Sequence, residues 1–172
     1  IMADILPKAT NNLVFVYGTL KTNEPNNKFW SAEIYDGGTR GSRGGDMRKH
    51  GLFQLLAKGE TVQKLPLVVA TKHNVPFLLH KPGDGHHVEG EIYCVDDKMM
   101  NSLDIFEDVP NYYKKIISEI KVSECLNDKI SLERGTIVKC SSYQLTNFKP
   151  ELLKLKFYKT YCSAVVPPYT EM

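Results

Sequence analysis

A chain of 172 residues, 42% of them hydrophobic and with a mean hydropathy of -0.30, is long enough to bury one sizeable core, which predicts a single domain over 1–172. Its 22 basic and 20 acidic residues leave a net charge of +2, too little for an overall field that would draw nucleic acid or an anionic membrane. Ile1 to Thr10 carry no basic segment followed by an apolar one, and no run reaches transmembrane length. The expectation is a soluble, cytoplasmic protein with a loose N-terminus over 1–12. Cys94, Cys125, Cys140 and Cys162 are scattered without a C-x-x-C pair, which points to free thiols rather than to a zinc site or a disulfide framework.

In chain order, Leu13 to Tyr17 is an apolar, β-rich run closed by Gly18 and predicts a buried strand entering a loop. Asn26 to Tyr35 predicts a short helix, and the glycines and basic residues of Asp36 to Gly51 predict a loop. The next strand-like runs are Leu67 to Ala70 and Phe77 to His80, followed by a Pro82 to Gly85 turn and a strand over Val88 to Val95. Asp96-Asp97 caps a predicted helix over Lys98 to Glu107, and Pro110 prevents it from continuing far. Tyr113 to Val122 and Gly135 to Tyr143 predict strands, and Pro150 to Tyr161 a closing helix. Mostly strands with a few peripheral helices argues an α+β fold built on a curved or barrelled sheet.

Two features carry chemistry. In Tyr17-Gly18-Thr19-Leu20 a buried strand ends in a glycine that lets the backbone turn, so that several N–H groups are left to form a concave anion site. On its own this pattern reads first as a plain strand-to-loop turn. The second feature is Glu107. At about 100° per residue, Phe106, Met99, Leu103, Glu107 and Met100 share one helical stripe about 120° wide, while Asp97, Asp104 and Asp108 fall outside it as solvated charges. A carboxyl in an apolar stripe is costly unless paired or functional, and both burial and the nearby acids are expected to raise its pKa toward neutrality. Against this stands the ordinary exposure of glutamates at fraying helix ends. His73, His80, His86 and His87 lack ligand spacing, and no metal is assigned. Tyr112 and Tyr113 follow Pro110 as packing aromatics, either of which could hydrogen-bond the carboxyl.

These residues resemble the γ-glutamyl cyclotransferase-like family. The matching text is Tyr17 to Lys21 with Pro25-Asn26, Pro66-Leu67-Val68, His73 to Leu79, Val88 to Tyr93, and Leu103 to Glu107 leading to Pro110 and Tyr113. Separated motifs in the right order are more specific than any one alone. The resemblance runs from about Leu13 to Tyr143 and implies a small mixed β-barrel with flanking helices. It also implies that the Tyr17, Gly18, Thr19 and Leu20 loop binds the γ-glutamyl group, that Glu107 is the catalytic acid/base with Tyr113 in support, and that no cofactor is needed. Lys21, Pro25-Asn26 and His73 to Leu79 favour the γ-glutamylamine branch, so the expected partner is a small γ-glutamyl amine and the expected state a monomer. The stretch from Lys28 to Lys64 is longer than this branch leads one to expect. Three rival readings stay open: a small-molecule or protein-binding module on the same fold that has no turnover, a cyclotransferase acting on other γ-glutamyl peptides, and an RNA-binding segment at Arg40, Arg43, Arg48 and Lys49.

Overall fold

The structure is a computed structural model and describes residues 12–35 and 47–164. In chain order the strands are β1 (Leu13–Val16), β2 (Glu33–Tyr35), β3 (Met47–Lys49), β4 (Phe53–Thr61), β5 (Leu67–Ala70), β6 (Val75–Leu78), β7 (Glu89–Val95), β8 (Lys114–Cys125) and β9 (Ile137–Gln144). One α-helix, α1 (Asp97–Phe106), lies between β7 and β8. Five strands close into a barrel in the order β1-β7-β4-β8-β9. All neighbours pair antiparallel except β9 and β1, which complete the ring in parallel through Val14 opposite Ser141. The mixed barrel is the expected one.

Closure explains why β1 reads as an unbroken apolar run. Along β1 and the residue after it, Phe15 and Tyr17 join one core with Ile92, Cys94, Ile120 and Val122, while Val14 and Val16 join a second with Tyr93, Val95, Met99 and Leu103. Alternate residues of one strand thus serve opposite faces of the wall, and both faces are covered. Each fully buried Val, Leu, Ile or Phe contributes about 1.5–3 kcal/mol through area removed from water. Gly90 of β7 is required by the tight wall: a Cβ there would lie 2.3 Å from Val16 O and 2.7 Å from the Phe15 ring.

Several expected elements differ. Asn26 to Tyr35 is not one helix but a 3-10 turn over Asn27–Ser31 followed by β2, which pairs with β3. Buried Phe29 and Trp30 hold that turn through tertiary stacking, Trp30 lying 4.1 Å from Tyr93 at 10°. Of the Asp36 to Gly51 segment, β3 is a strand, and residues 36–46, with Arg40 and Arg43, lie outside the described residues. Strand β4 has no counterpart in the sequence reading. Its alternation is broken by a bulge between Leu55 and Ala57 and a second irregularity between Lys58 and Gly59, which erase the period-two signal. The predicted closing helix shrinks to a 3-10 turn over Pro150–Lys154, after which the chain passes without regular secondary structure through a strap over 158–163, with bends at Lys159 and Thr160. No helix among the described residues is long and apolar enough to cross a membrane.

Candidate active site

Helix α1 delivers the carboxyl. Asp96 caps its first turn, accepting a hydrogen bond from Met99 N at 2.8 Å and a further one from Leu52 N at 3.1 Å. Met99 and Leu103 are fully buried, whereas Phe106 is 44% exposed, so the apolar stripe is narrower than the sequence implies. The helix ends one residue earlier than expected. Glu107 is its C-cap, its own N–H donating to Leu103 O at 2.9 Å, and Asp108 follows in the left-handed region at φ 51. This reversal turns the Glu107 side chain into a cleft of about 540 Å³, where its carboxyl makes no hydrogen bond among the described residues.

Burial lifts the Glu107 pKa to about 8. The cause is desolvation; the neighbouring acids expected to help do not contribute. Asp104 is also not the solvated helix charge that the sequence suggests. Its Oδ1 accepts from the Tyr143 hydroxyl at 2.7 Å and its Oδ2 pairs with Lys115 Nζ at 2.9 Å, so the helix is braced against β8 and β9 one turn before Glu107. Asp97 and Asp108 are exposed, as expected.

The second half of the cleft is the loop that leaves β1. Tyr17, Gly18, Thr19 and Leu20 all line it, facing a wall that includes Glu107, Tyr112, Tyr113 and Tyr143. The loop carbonyls are consumed by the protein: Gly18 O accepts from Lys21 N at 3.1 Å and Thr19 O from Asn26 N at 2.8 Å. Leu20 O accepts from Trp30 Nε1 and Asn27 Nδ2, each at 3.0 Å. The amides of Gly18, Thr19 and Leu20 make no hydrogen bond among the described residues. Three donors without partners among the described residues, on one short loop, are a set of the kind that can bind an anion.

Gly18 is needed for a reason other than a turn. Its φ is not in the left-handed region; instead a Cβ would lie 2.8 Å from Pro76 Cγ, so the β5–β6 hairpin can close over the loop only at a glycine. Gly18→Ala is therefore expected to displace the loop and lower kcat/KM about tenfold or more, since misplacements near 1 Å cost about a hundredfold. Steady-state kinetics on folded protein check this.

Aromatic hydroxyls crowd the carboxyl. The Tyr17 hydroxyl donates to Tyr143 O at 2.6 Å, and burial, then the Glu107 charge, push its pKa up. Tyr112 is shifted the same way by the same two causes. Tyr113 is buried on the same wall, its ring against Tyr112 and Phe77. Sequence reasoning missed Tyr143, His73, Asn26 and Pro76 as cleft residues. His73, Asn26 and Pro76 stood in the matched motifs, whereas only the barrel register brings Tyr143 there. Among the described residues no cluster of His, Cys, Asp or Glu could hold a metal ion.

A carboxyl with a pKa of about 8 can exchange a proton near neutrality, and it has a consequence for folding. An unfolded glutamate titrates near 4.5, so between that value and about 8 the folded state holds a proton that the unfolded state has lost. Stability attributable to Glu107 therefore falls as pH rises through this window and levels off above it. Relative to Glu107→Gln, the wild type is expected to lose a few kcal/mol from pH 4.5 to 8. Urea denaturation of both proteins across that range measures it, and a constant difference would reject the buried-carboxyl assignment.

Comparison with known proteins agrees with the barrel fold. The family model described as gamma-glutamyl cyclotransferase, AIG2-like, matches residues 14–161. The chain is 39% identical over 150 residues to the gamma-glutamylaminecyclotransferase of Mus musculus, covering 87% of this chain and 89% of that protein. It is 37% identical over 155 residues to the human protein of the same name, covering 88% and 90%. The crystal structure of an AIG2-like protein from Mus musculus superposes with a TM-score of 0.75 at 36% identity, covering 94% of this chain and 96% of that one. With a closed mixed barrel, matched motifs over residues 14–161 and relatives at this identity, the chain belongs to the AIG2-like γ-glutamyl cyclotransferase family.

Proposed function

We propose that this chain is a γ-glutamylamine cyclotransferase that closes a γ-glutamyl group into 5-oxoproline and releases the attached amine. The observation that carries this is one cleft holding two complementary elements: a desolvated carboxyl without a hydrogen-bond partner among the described residues, and three loop amides without acceptors among them. A γ-glutamyl amine needs both. Its α-carboxylate, or the oxyanion developing at the γ-carbonyl, accepts from the amides of Gly18, Thr19 and Leu20. Its α-ammonium meets Glu107.

The nucleophile is already tethered to its electrophile, so holding the folded conformer contributes on the order of 7–11 kcal/mol. Glu107 takes a proton from the α-ammonium, and the freed amine attacks the γ-carbonyl carbon to form the ring C–N bond. Glu107 then donates to the departing nitrogen as the original amide C–N bond breaks. Two protons pass in all from the α-nitrogen to the leaving nitrogen, one carboxyl carrying them in turn. The ammonium favours the ionised form of Glu107 when it arrives, while burial favours the neutral form that must later donate. Tyr113 supports the carboxyl from the same wall.

The natural leaving group in this reading is lysine from γ-glutamyl-ε-lysine, the isopeptide left when crosslinked proteins are degraded. Incubation with γ-glutamyl-ε-lysine and chromatographic detection of 5-oxoproline and lysine in equal amounts tests the proposal. Purified, folded protein that releases neither would overturn it.

A further inference from the structure

The residue after the amide loop, Lys21, takes part in no step above, yet its environment is unusual for a lysine. It is partly buried, and its Nζ donates to Tyr161 O at 2.5 Å. Burial lowers its pKa, opposed by the charges of Glu24, Glu91 and Glu89 around it. Tyr161 itself is fully buried in the barrel core. The ammonium thus ties the loop to a carbonyl that the core holds still.

Further bonds lie beside it. Glu24 Oε1 accepts from Ser163 N at 3.1 Å and from Ser163 Oγ at 2.6 Å, and Thr22 N donates to Glu91 Oε1 at 2.8 Å. The strap is fixed in turn by Tyr158 N donating to Leu67 O at 2.8 Å, Glu89 N donating to Lys159 O at 2.9 Å, and the Thr160 hydroxyl donating to Glu89. Lys21 N closes the turn onto Gly18 O at 3.1 Å. One residue therefore links the amide concavity on its backbone side to the strap on its side-chain side.

We infer that Lys21 is a positioning residue, and that the strap over 158–163 is a clasp that holds the Gly18 to Leu20 amides in register for the substrate's anionic group. This rests on the reading of that loop as the γ-glutamyl-binding element. Glu107 is carried by α1, a separate element, so loosening the clasp weakens binding while leaving the proton transfers largely intact. A residue that merely stabilised the fold would lower the melting temperature and leave KM alone.

The test uses Lys21→Met, which keeps the stem and removes the cation. The expected result is a KM for γ-glutamyl-ε-lysine raised about tenfold or more with kcat changed by less than about threefold, and a parallel loss of affinity for 5-oxoproline as inhibitor. Amide hydrogen exchange at Lys21, Thr22, Glu24 and Asn26, whose N–H groups are hydrogen-bonded, is expected to quicken by about tenfold while β4 and β7 are unaffected. Lys21→Arg, which restores a donor, is expected to recover part of the KM. A folded Lys21→Met with wild-type KM and wild-type loop exchange overturns the inference. If Lys21→Met does not fold, Ser163→Ala and Glu24→Gln replace it: a severalfold rise in KM supports the clasp, and unchanged KM in both rejects it. Absence of turnover in the wild type would instead sink the proposed reaction, and the exchange comparison would still decide whether the strap holds the loop.

Discussion

Glu107→Gln is expected to leave a folded protein whose turnover of γ-glutamyl-ε-lysine falls by at least about a hundredfold, since acid/base groups contribute about 10²–10⁴-fold. The amide keeps the volume of the carboxyl, and no protein hydrogen bond is lost, because the Glu107 carboxyl makes none among the described residues. What disappears is a group that can accept and return a proton near neutral pH, the property that burial confers by lifting its pKa to about 8. The variant should also bind 5-oxoproline, since the loop amides are untouched. Burst-free assays of 5-oxoproline release, with circular dichroism to confirm the fold, check both halves. Turnover within about threefold of wild type would remove Glu107 from the acid/base role.

The second large effect concerns the leaving group. The cleft is lined by Glu107 and Asp108 but by no lysine or arginine among the described residues, and its only basic side chain there is His73. An ε-linked lysine places an unbranched methylene chain next to the scissile nitrogen, which suits a wall formed by Phe106, Val75, Pro76 and Tyr112. A γ-glutamyl α-amino acid or glutathione places a carboxylate there instead. That charge would sit beside the desolvated Glu107 and the Asp108 carboxylate without a strong cation, at a cost of a few kcal/mol, equivalent to a discrimination of about 10²-fold or more. The expectation is thus a higher kcat/KM for γ-glutamyl-ε-lysine than for γ-glutamyl-alanine or glutathione. Equal or better turnover of either would reject the amine preference while leaving the cyclisation chemistry standing. In that event Arg40, Arg43 and Arg48, none of whose side chains is described, are the residues to substitute next.

Much of this molecule was legible from local pattern. The apolar run at Leu13 to Val16, the turn-bounded strands at Leu67 to Ala70 and Glu89 to Val95, and the Asp96-capped helix carry signals that need only neighbours a few residues away. Strand β4 was not legible, because bulges scramble its alternation and its partners are β7 and β8, distant in the chain. The segments at Asn26 to Tyr35 and Pro150 to Tyr161 carry helix-like spacing, but stacking of Trp30 on Tyr93 and burial of Tyr161 outweigh a weak propensity.

The same division holds at the site. The local pattern pointed to Glu107, an acid inside an apolar helical stripe, whereas Tyr17 to Leu20, locally a plain strand-to-loop turn, was singled out by the family resemblance. Only tertiary structure decided that the two share one cleft, that Gly18 is demanded by Pro76 rather than by a turn, and that Asp104 braces Tyr143 and Lys115. The reason is physical: desolvation, close approach and the satisfaction of each carbonyl depend on what barrel closure brings from far along the chain. A pKa near 8 belongs to the cleft, not to the glutamate.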